Sequence, residues 1–251
     1  MIQFGAGSLF AIPTHDANGA AITTPTPIQF GTLQEIGLDA SFDAKKLYGN
    51  KQFPIAVARG KGTMSFKAKI ADIDGRIFTD LFMGLTNSAG IKSVVSNFAA
   101  AVPAATPFTI TVSPPNSGTF VADLGVIDAT TALPMTRVSS NPATGQYSVA
   151  AGVYTFASAD ASKAVLISYE YSATSTTAQY APMTNQLMGQ SPFFGAVLSN
   201  TYAGKNLTLK FNRCMSSKFS MPFKNEDFAI PDFEFEAMAD DAGNIGYFAQ
   251  S

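Results

Sequence analysis

The sequence predicts a mainly β protein that is built from antiparallel sheets and carries one helix. Many segments alternate apolar and polar residues with a period of two, which is typical of strands with one buried face. A single segment has apolar residues at helical spacing. Clusters of Gly, Pro, Asn and Ser separate these segments and indicate turns. Together these patterns favour sheets that bury one face and expose the other.

The strand prediction depends on a few clear alternations. In one of them Phe233 and Phe235 alternate with Glu234 and Glu236. The same pattern occurs in five segments in all, at 36–43, 64–70, 165–171, 207–211 and 233–237. Each of these segments is predicted to form a half-buried strand.

The predicted helix covers residues 72–83. Its apolar stripe repeats at a period near 3.6 and would pack on a sheet; the stripe consists of Ile73, Ile77, Phe78, Leu81 and Phe82. Asp72 or Asp74 is expected to accept hydrogen bonds from free N–H groups at the helix start. Gly84 is expected to end the helix in the left-handed conformation.

The middle of the chain is rich in turn-forming residues, which predicts inserted β-hairpins. Turn clusters at 114–118, 141–142 and 144–145 separate short predicted strands at 108–112, 119–127, 146–149 and 153–156. We therefore expect one domain over residues 1–251, with a hairpin insertion at about 106–172. The sequence leaves open whether this insertion is a domain of its own.

Composition and charge argue against several classes of function. The net charge is −2, so no basic excess exists to hold nucleic-acid phosphates. His15 is the only histidine and Cys214 the only cysteine, which excludes the usual four-ligand zinc sites. His15 is interpreted as a surface turn residue and Cys214 as a small buried apolar group. The apolar stretch 98–105 is too short to span a bilayer and contains Pro103.

No catalytic or cofactor-binding motif emerges from the sequence. The Gly-Lys pairs at 60–61 and 204–205 lack the hydroxyl residue of a phosphate loop. The Asp-rich segment 240–244 lacks the alternating ligands of a calcium loop and is interpreted as a tight turn between strands. We therefore expect a protein that is not an enzyme and that binds no cofactor or metal, although a glycosidase, which needs only two carboxylates, stays open.

Two segments resemble the major tail tube proteins of siphophages, the bacteriophages with long non-contractile tails. One runs from Gly-Thr-Leu-Gln-Glu at residue 31, through Leu-Tyr-Gly at 47–49, to Arg-Gly-Lys-Gly at 59–62. The other is Phe-Glu-Phe-Glu-Ala at 233–237, followed by the Gly-Asn turn at 243–244. The resemblance covers about half of the chain, near 27–85 and 192–251.

The resemblance implies two packed antiparallel sheets, sandwich-like or barrel-like, with a flanking helix. It also implies hexameric rings that stack head to tail into a hollow tube, through which DNA passes as non-specific cargo. Implied partners are further copies of the chain and the tape-measure, tail terminator and distal tail proteins, with no membrane. The implied location is the virion tail, after assembly in the host bacterial cytoplasm.

Two alternative functions stay open at this point. One is another β-rich virion protein, such as a tail terminator or a head decoration subunit. The other is a carbohydrate-binding β-module, although such sites usually present aromatic platforms and Trp is absent here.

Two sets of residues are candidates for function under the tail tube interpretation. The segment 45–61 is predicted to be an extended loop or hairpin that contacts a neighbouring ring through Leu47, Tyr48, Phe53, Ile55 and Val57. The lumen is predicted to be acidic or neutral, with any inward lysine beside a carboxylate of an adjacent strand; its candidates are Asp39, Asp43, Lys67, Lys69, Glu234 and Glu236.

Overall fold

A computed structural model describes residues 2–72 and 74–251, of which 54% lie in strands and 6% in helical segments. The strands are β1 (Ser8–His15), β2 (Ile28–Gln29), β3 (Leu33–Tyr48), β4 (Pro54–Ile70), β5 (Ser88–Ala89), β6 (Ile91–Ala101), β7 (Thr109–Thr111), β8 (Thr119–Asp128), β9 (Thr136–Arg137), β10 (Gln146–Ala150), β11 (Val153–Phe156), β12 (Ala164–Ala173), β13 (Gln179–Tyr180), β14 (Phe193–Tyr202), β15 (Lys205–Ser220), β16 (Asp232–Met238) and β17 (Gly246–Gln250). The helix is Ile77–Met83, and Pro115–Ser117 and Ser158–Asp160 are short 3₁₀ turns.

The predicted class, mainly β with antiparallel sheets and one helix, is confirmed. The chain divides into two compact units. Unit 1 comprises Met1–Thr86 and Pro182–Ser251, and unit 2 comprises Asn87–Ala181. Unit 2 is wider than the expected insertion at 106–172, because β6 precedes that boundary and pairs along its length with β12.

Unit 1 contains one continuous sheet rather than two separate ones. Its strand order is β2-β1-β14-β15-β16-β4-β3, and β17 pairs with β15. One face of this sheet is covered by a core rich in phenylalanine. The Phe66 ring of β4 stacks on Phe235 of β16, and its edge meets Phe211 of β15, with 4.6 Å between centroids in both pairs. The rings therefore form one continuous cluster across β4, β16 and β15.

The helix packs on this core as predicted, but it is shorter than the predicted span and wound with π-type hydrogen bonds. Ile77 and Leu81 are buried in the core of unit 1, whereas Phe78 and Phe82 are half-buried. Gly84 ends the helix with φ of 62°, as expected. Ile73, part of the predicted stripe, lies outside the described residues.

The two aspartates before the helix have separate roles. A carboxylate oxygen of Asp74 accepts the Arg76 N–H at 2.9 Å. Asp72 instead accepts the N–H and the hydroxyl of Thr32 at 3.0 and 2.8 Å, which ties the segment after β4 to the start of β3. Of the two predicted alternatives, Asp74 is therefore the one that accepts an N–H at this end of the helix, that of Arg76, which directly precedes Ile77.

Unit 2 has its own core between two sheets, one with the order β6-β12-β8 and one with the order β7-β11-β10-β9. The pairing of β9 with β10 is parallel, and the other ladders in these two sheets are antiparallel. The strands predicted near 108–112, 119–127, 146–149 and 153–156 are confirmed as β7, β8, β10 and β11.

Candidate assembly surfaces

Strands β3 and β4 form a long hairpin that extends beyond its neighbour in the sheet. Strand β16 pairs with β4 only from Ser65 to Lys69. Beyond that point the two strands pair with each other as far as Tyr48 and Pro54. We call residues 42–62 the arm. At about 3.3 Å per residue, its nine β4 residues extend for roughly 30 Å.

The arm carries the five predicted contact residues, and all of them are exposed. Their exposed fractions are 60% for Leu47, 53% for Tyr48, 81% for Phe53, 69% for Ile55 and 62% for Val57. Leu47 pairs with Ala56, and Val57 pairs with Lys46, so apolar side chains project from both faces of the hairpin. The predicted hairpin is confirmed, and its contact with a neighbouring subunit stays a prediction.

The arm has a stiffening contact near its base. Phe42 lies opposite Gly62, and a Cβ added at Gly62 would stand 2.7 Å from the Phe42 ring. The Arg59 guanidinium carbon lies 4.6 Å from the centroid of the same ring. An aromatic ring folded over a cross-strand glycine, with a cation on it, fixes the register of an otherwise marginal two-stranded ribbon.

The second candidate surface is the face of the sheet opposite the core, which we call the charged face. Antiparallel register places one row of side chains across four strands: Gly37 of β3, Lys67 of β4, Glu234 of β16 and Lys218 of β15. A parallel row contains Glu35, Lys69 and Asp232. Because side chains alternate across a strand, these rows share one face.

Each lysine of these two rows has a carboxylate beside it. Lys210 of β15 alternates with the buried Leu209 and Phe211 and therefore lies on the same face, but its Nζ lies over the Tyr247 ring, 5.9 Å from the centroid. Lys67 Nζ lies 3.3 Å from Glu234 Oε1 and 3.6 Å from Asp232 Oδ2. Lys218 Nζ lies 3.4 Å from the same Glu234 oxygen, and Lys69 pairs with Glu35. The pairs are partly exposed, so their effect on the free energy of unfolding is small and their main effect is to cancel local charge.

The pKa values of Glu234, Glu35 and Lys69 shift in the directions that pairing requires. Partial burial acts to raise the pKa of Glu234, but the hydrogen bonds from Lys67 and Lys218 outweigh it and the pKa lies below its usual value. The hydrogen bond and charge of Lys69 lower the pKa of Glu35, and the pKa of Lys69 rises in return. Glu234, Glu35 and Lys69 are therefore charged near neutral pH.

The structure brings five of the six predicted lumen residues together. Asp39 and Glu236 flank Ser65 on the charged face and line an open groove of about 550 Å³ together with Lys67 and Glu234. Lys69 lies in the next row. Asp43 is separate, because it lies on the arm at a register irregularity between Phe42 and Ala44.

Sequence reasoning missed three members of the charged face: Glu35, Lys218 and Asp232. Glu35 and Asp232 are four and two residues from the predicted face residues Asp39 and Glu234, so strict alternation along β3 and β16 would have found them. Lys218 follows a bulge in β15 between Ser216 and Lys218, which breaks the alternation that could have revealed it.

His15, Cys214 and Asp240, which could have belonged to a catalytic or metal site, have structural roles. The prediction that His15 is a turn residue is wrong: it ends β1, half-buried against the Phe193 ring. Cys214 is fully buried, as predicted, and burial raises the pKa of its thiol to about 12. Asp240 accepts the N–H groups of Ala242 and Asn244 and forms the predicted turn. Within 2–72 and 74–251, no three His, Cys, Asp or Glu side chains form a metal-binding group.

Comparison with models of protein families and with curated proteins gave no match to this chain. In the part of the chain that the structure describes, no helix combines the length and apolar character needed to cross a bilayer.

Proposed function

We propose that this chain is a structural virion protein that assembles into the tail tube of a siphophage. Hexameric rings of the chain stack head to tail, and DNA passes through the hollow tube to the host. The observation that carries this proposal is the arm, a two-stranded extension with apolar side chains exposed on both faces. Two-stranded ribbons are marginal in water, so a neighbouring subunit that covers these side chains accounts for their presence.

The free edges of the sheet support lateral assembly into rings. Strand β3 is the last strand of the sheet, and β17 pairs on one side with β15. Exposed edges pair readily with other chains, and closure around a ring removes them. The low charged fraction of 14% also favours a subunit that buries much of its surface in an assembly.

The charged face is the proposed lining of the lumen. Its three rows around Lys67 carry five carboxylates, at Glu35, Asp39, Asp232, Glu234 and Glu236, against the three paired lysines 67, 69 and 218. Each unpaired cation on the wall would add salt-dependent affinity for phosphate and slow the passage of DNA. Within these rows, the net charge of −2 and the paired lysines would let DNA slide.

Other properties of the protein follow from the proposed role. The protein acts without catalysis, cofactor or metal. Its partners are copies of itself and the tape-measure, tail terminator and distal tail proteins, and its place is the virion tail after assembly in the bacterial cytoplasm.

Negative-stain electron microscopy of the purified protein at rising concentration tests the proposal. We expect long hollow tubes. Discrete rings would instead favour a tail terminator, and a protein that stays monomeric at high concentration would contradict assembly altogether.

A pair of matched variants tests the role of the arm. Tyr48→Ser with Phe53→Ser should leave a folded protein that forms no tubes. Val94→Ser with Leu124→Ser removes exposed apolar groups from unit 2, where the two side chains are 49% and 52% exposed, and should leave tubes intact. Normal tubes from the arm variant would exclude the arm as a contact.

A further inference from the structure

The arm concentrates positive charge. It contains Lys45, Lys46, Lys51, Arg59 and Lys61 but only one carboxylate, Asp43, which gives a net charge of +4. Because the whole chain has a net charge of −2, the remainder carries −6. In the described residues no carboxylate lies within ion-pair distance of these five cations. Their charges are therefore not cancelled by ion pairs within the described part of the chain.

The opposite end of the same sheet is acidic. The connection between β15 and β16, residues 221–231, lies at the end of β4 far from the arm, since the Ile70 N–H donates to the Pro231 carbonyl at 3.1 Å. The segment after β4 lies at the same end, because Asp72 binds Thr32 just before β3. We call residues 71–72, 74–76 and 221–231 the acidic end.

The side chains of the acidic end complement those of the arm. Its carboxylates are Asp72, Asp74, Glu226 and Asp227, against the cations Arg76 and Lys224. Arg76 is already bound to Asp80 at 3.1 Å, and Lys224 lies 3.7 Å from Asp227.

The acidic end also offers apolar surface. Phe223 is 79% exposed and Phe228 is 89% exposed. Beside the start of this connection, Phe219 contacts the half-buried rings of Phe78 and Phe82 at centroid distances of 5.4 and 6.1 Å. A basic apolar arm therefore has a matching surface of acidic and aromatic side chains on the same chain.

We propose that the acidic end of one copy is the surface that receives the arm of the next copy. The inference rests on the proposed head-to-tail assembly and names the contact that would carry it. The 17 residues of β4 run roughly 50 Å from one end to the other, so an arm cannot reach the acidic end of its own sheet. Unlike surfaces at opposite ends of one subunit make a contact that repeats without closing, which yields a filament.

Charge reversal tests this contact. Lys45→Glu with Lys46→Glu on the arm, or Glu226→Lys with Asp227→Lys on the acidic end, should each raise the critical concentration for tubes by about tenfold or more. The variant with all four substitutions restores opposite charges across the contact and should return to within about threefold of the wild type. Lys92→Glu in unit 2 is the control for added negative charge and should leave the critical concentration unchanged.

The possible outcomes separate this inference from the proposed function. Circular dichroism of each variant identifies a folding failure, and if one pair of substitutions prevents folding, the other pair alone still tests the contact. If the wild type forms tubes, two results would overturn the acidic end as the receiving surface. One is an unchanged critical concentration for the Glu226→Lys, Asp227→Lys variant, and the other is a critical concentration that does not recover in the fourfold variant. Absence of wild-type tubes would instead overturn the proposed assembly.

The salt dependence of tube assembly tests the same contact independently. The Debye length falls from about 10 Å at 0.1 M salt to about 3 Å at 1 M. The advantage of the wild type over the arm charge variant should therefore shrink as salt rises. An advantage that does not change with salt would contradict charge attraction at this contact.

Discussion

The two units of the chain bury different chemistry. Unit 1 holds 17 of the 21 phenylalanines, and its three tyrosines, 48, 202 and 247, are all exposed. Unit 2 holds four phenylalanines and four buried tyrosines, 147, 154, 169 and 171. Unit 2 also buries the carboxylates of Asp123 and Asp160, whose side chains are 4% and 0% exposed.

The difference shows two ways to specify a β core. Long strands in unit 1 give enough apolar area for stacked rings to fill the interior without polar groups. The smaller unit 2 fixes its packing with hydrogen bonds: Asp123 accepts from the hydroxyls of Tyr147 and Tyr154 at 2.8 and 3.0 Å. Lys163 joins two further carboxylates, lying 3.3 Å from Asp128 and 2.9 Å from Asp160.

The largest expected loss of stability comes from a substitution in the apolar core of unit 1. Phe235 is 1% exposed and packs against Phe66, Phe194 and Phe233. Phe235→Ala should lower the free energy of unfolding of unit 1 by about 3–5 kcal/mol, because it removes a buried ring and leaves a cavity. The exposed Phe223→Ala is the control and should change it by less than about 0.5 kcal/mol. Calorimetry of the monomer measures both, and equal effects would contradict the assigned core.

The next largest loss of stability is expected from a substitution in the polar core of unit 2. Asp123→Ala leaves two buried tyrosine hydroxyls without an acceptor, which should cost about 2–4 kcal/mol. Adding Tyr147→Phe and Tyr154→Phe removes the orphaned donors, so the triple variant should recover part of that loss. Chemical denaturation measures the series. A triple variant less stable than Asp123→Ala would mean that the hydroxyls serve another acceptor.

Alkaline pH should distinguish the two units without mutation. Burial, together with the hydrogen bond and charge of Asp123, raises the pKa of Tyr147 and of Tyr154 above the ordinary value. A raised pKa favours the folded state while the phenol is protonated, so stability is complete below about pH 10 and falls as pH rises further. We expect unit 2 to unfold in that range, with phenolate absorbance appearing at the same time.

A control is needed because unit 1 holds Cys214, whose pKa is also raised. Cys214→Ala should leave the alkaline transition of unit 2 in place, whereas Tyr147→Phe should weaken its pH dependence. Ionisation of the buried tyrosines at their ordinary pKa, while unit 2 is still folded, would contradict the burial argument.

The sequence predicted the strands that alternate and missed those that do not. For segment 36–43 the strand is confirmed, but the predicted burial of Leu38 and Phe42 is wrong, since these side chains are 42% and 56% exposed on β3, the last strand of the sheet. Strand β14 lies between β1 and β15 and begins with a continuous apolar run, Phe193–Leu198, so it has no period of two. Strand β6 is interrupted at Asn97, where φ is 54° and the register with β12 shifts. Strand β1 contains Pro13, which weakens the strand signal.

The candidate surfaces were predictable in composition but not in arrangement. Exposed apolar residues among Gly and Lys marked the arm from sequence alone. The pairing of Lys67 with Glu234 joins positions far apart in the chain and depends on the register of β4 and β16, which alternation does not define. The acidic end was missed because its two segments come together only through the sheet.

The smallest expected effect concerns the helix of unit 1, at the margin of its core. A fully buried Phe78 would lose about 3–5 kcal/mol on truncation to alanine. The structure leaves Phe78 half-buried, with its ring near Phe82 and Phe219, so we expect Phe78→Ala to cost about 1–2 kcal/mol. Leu81 is fully buried, and Leu81→Ala should cost about 2–5 kcal/mol. Thermal denaturation of the two variants ranks them. A larger loss for Phe78→Ala than for Leu81→Ala would show that the aromatic cluster with Phe219, rather than the buried stripe, anchors the helix to the sheet.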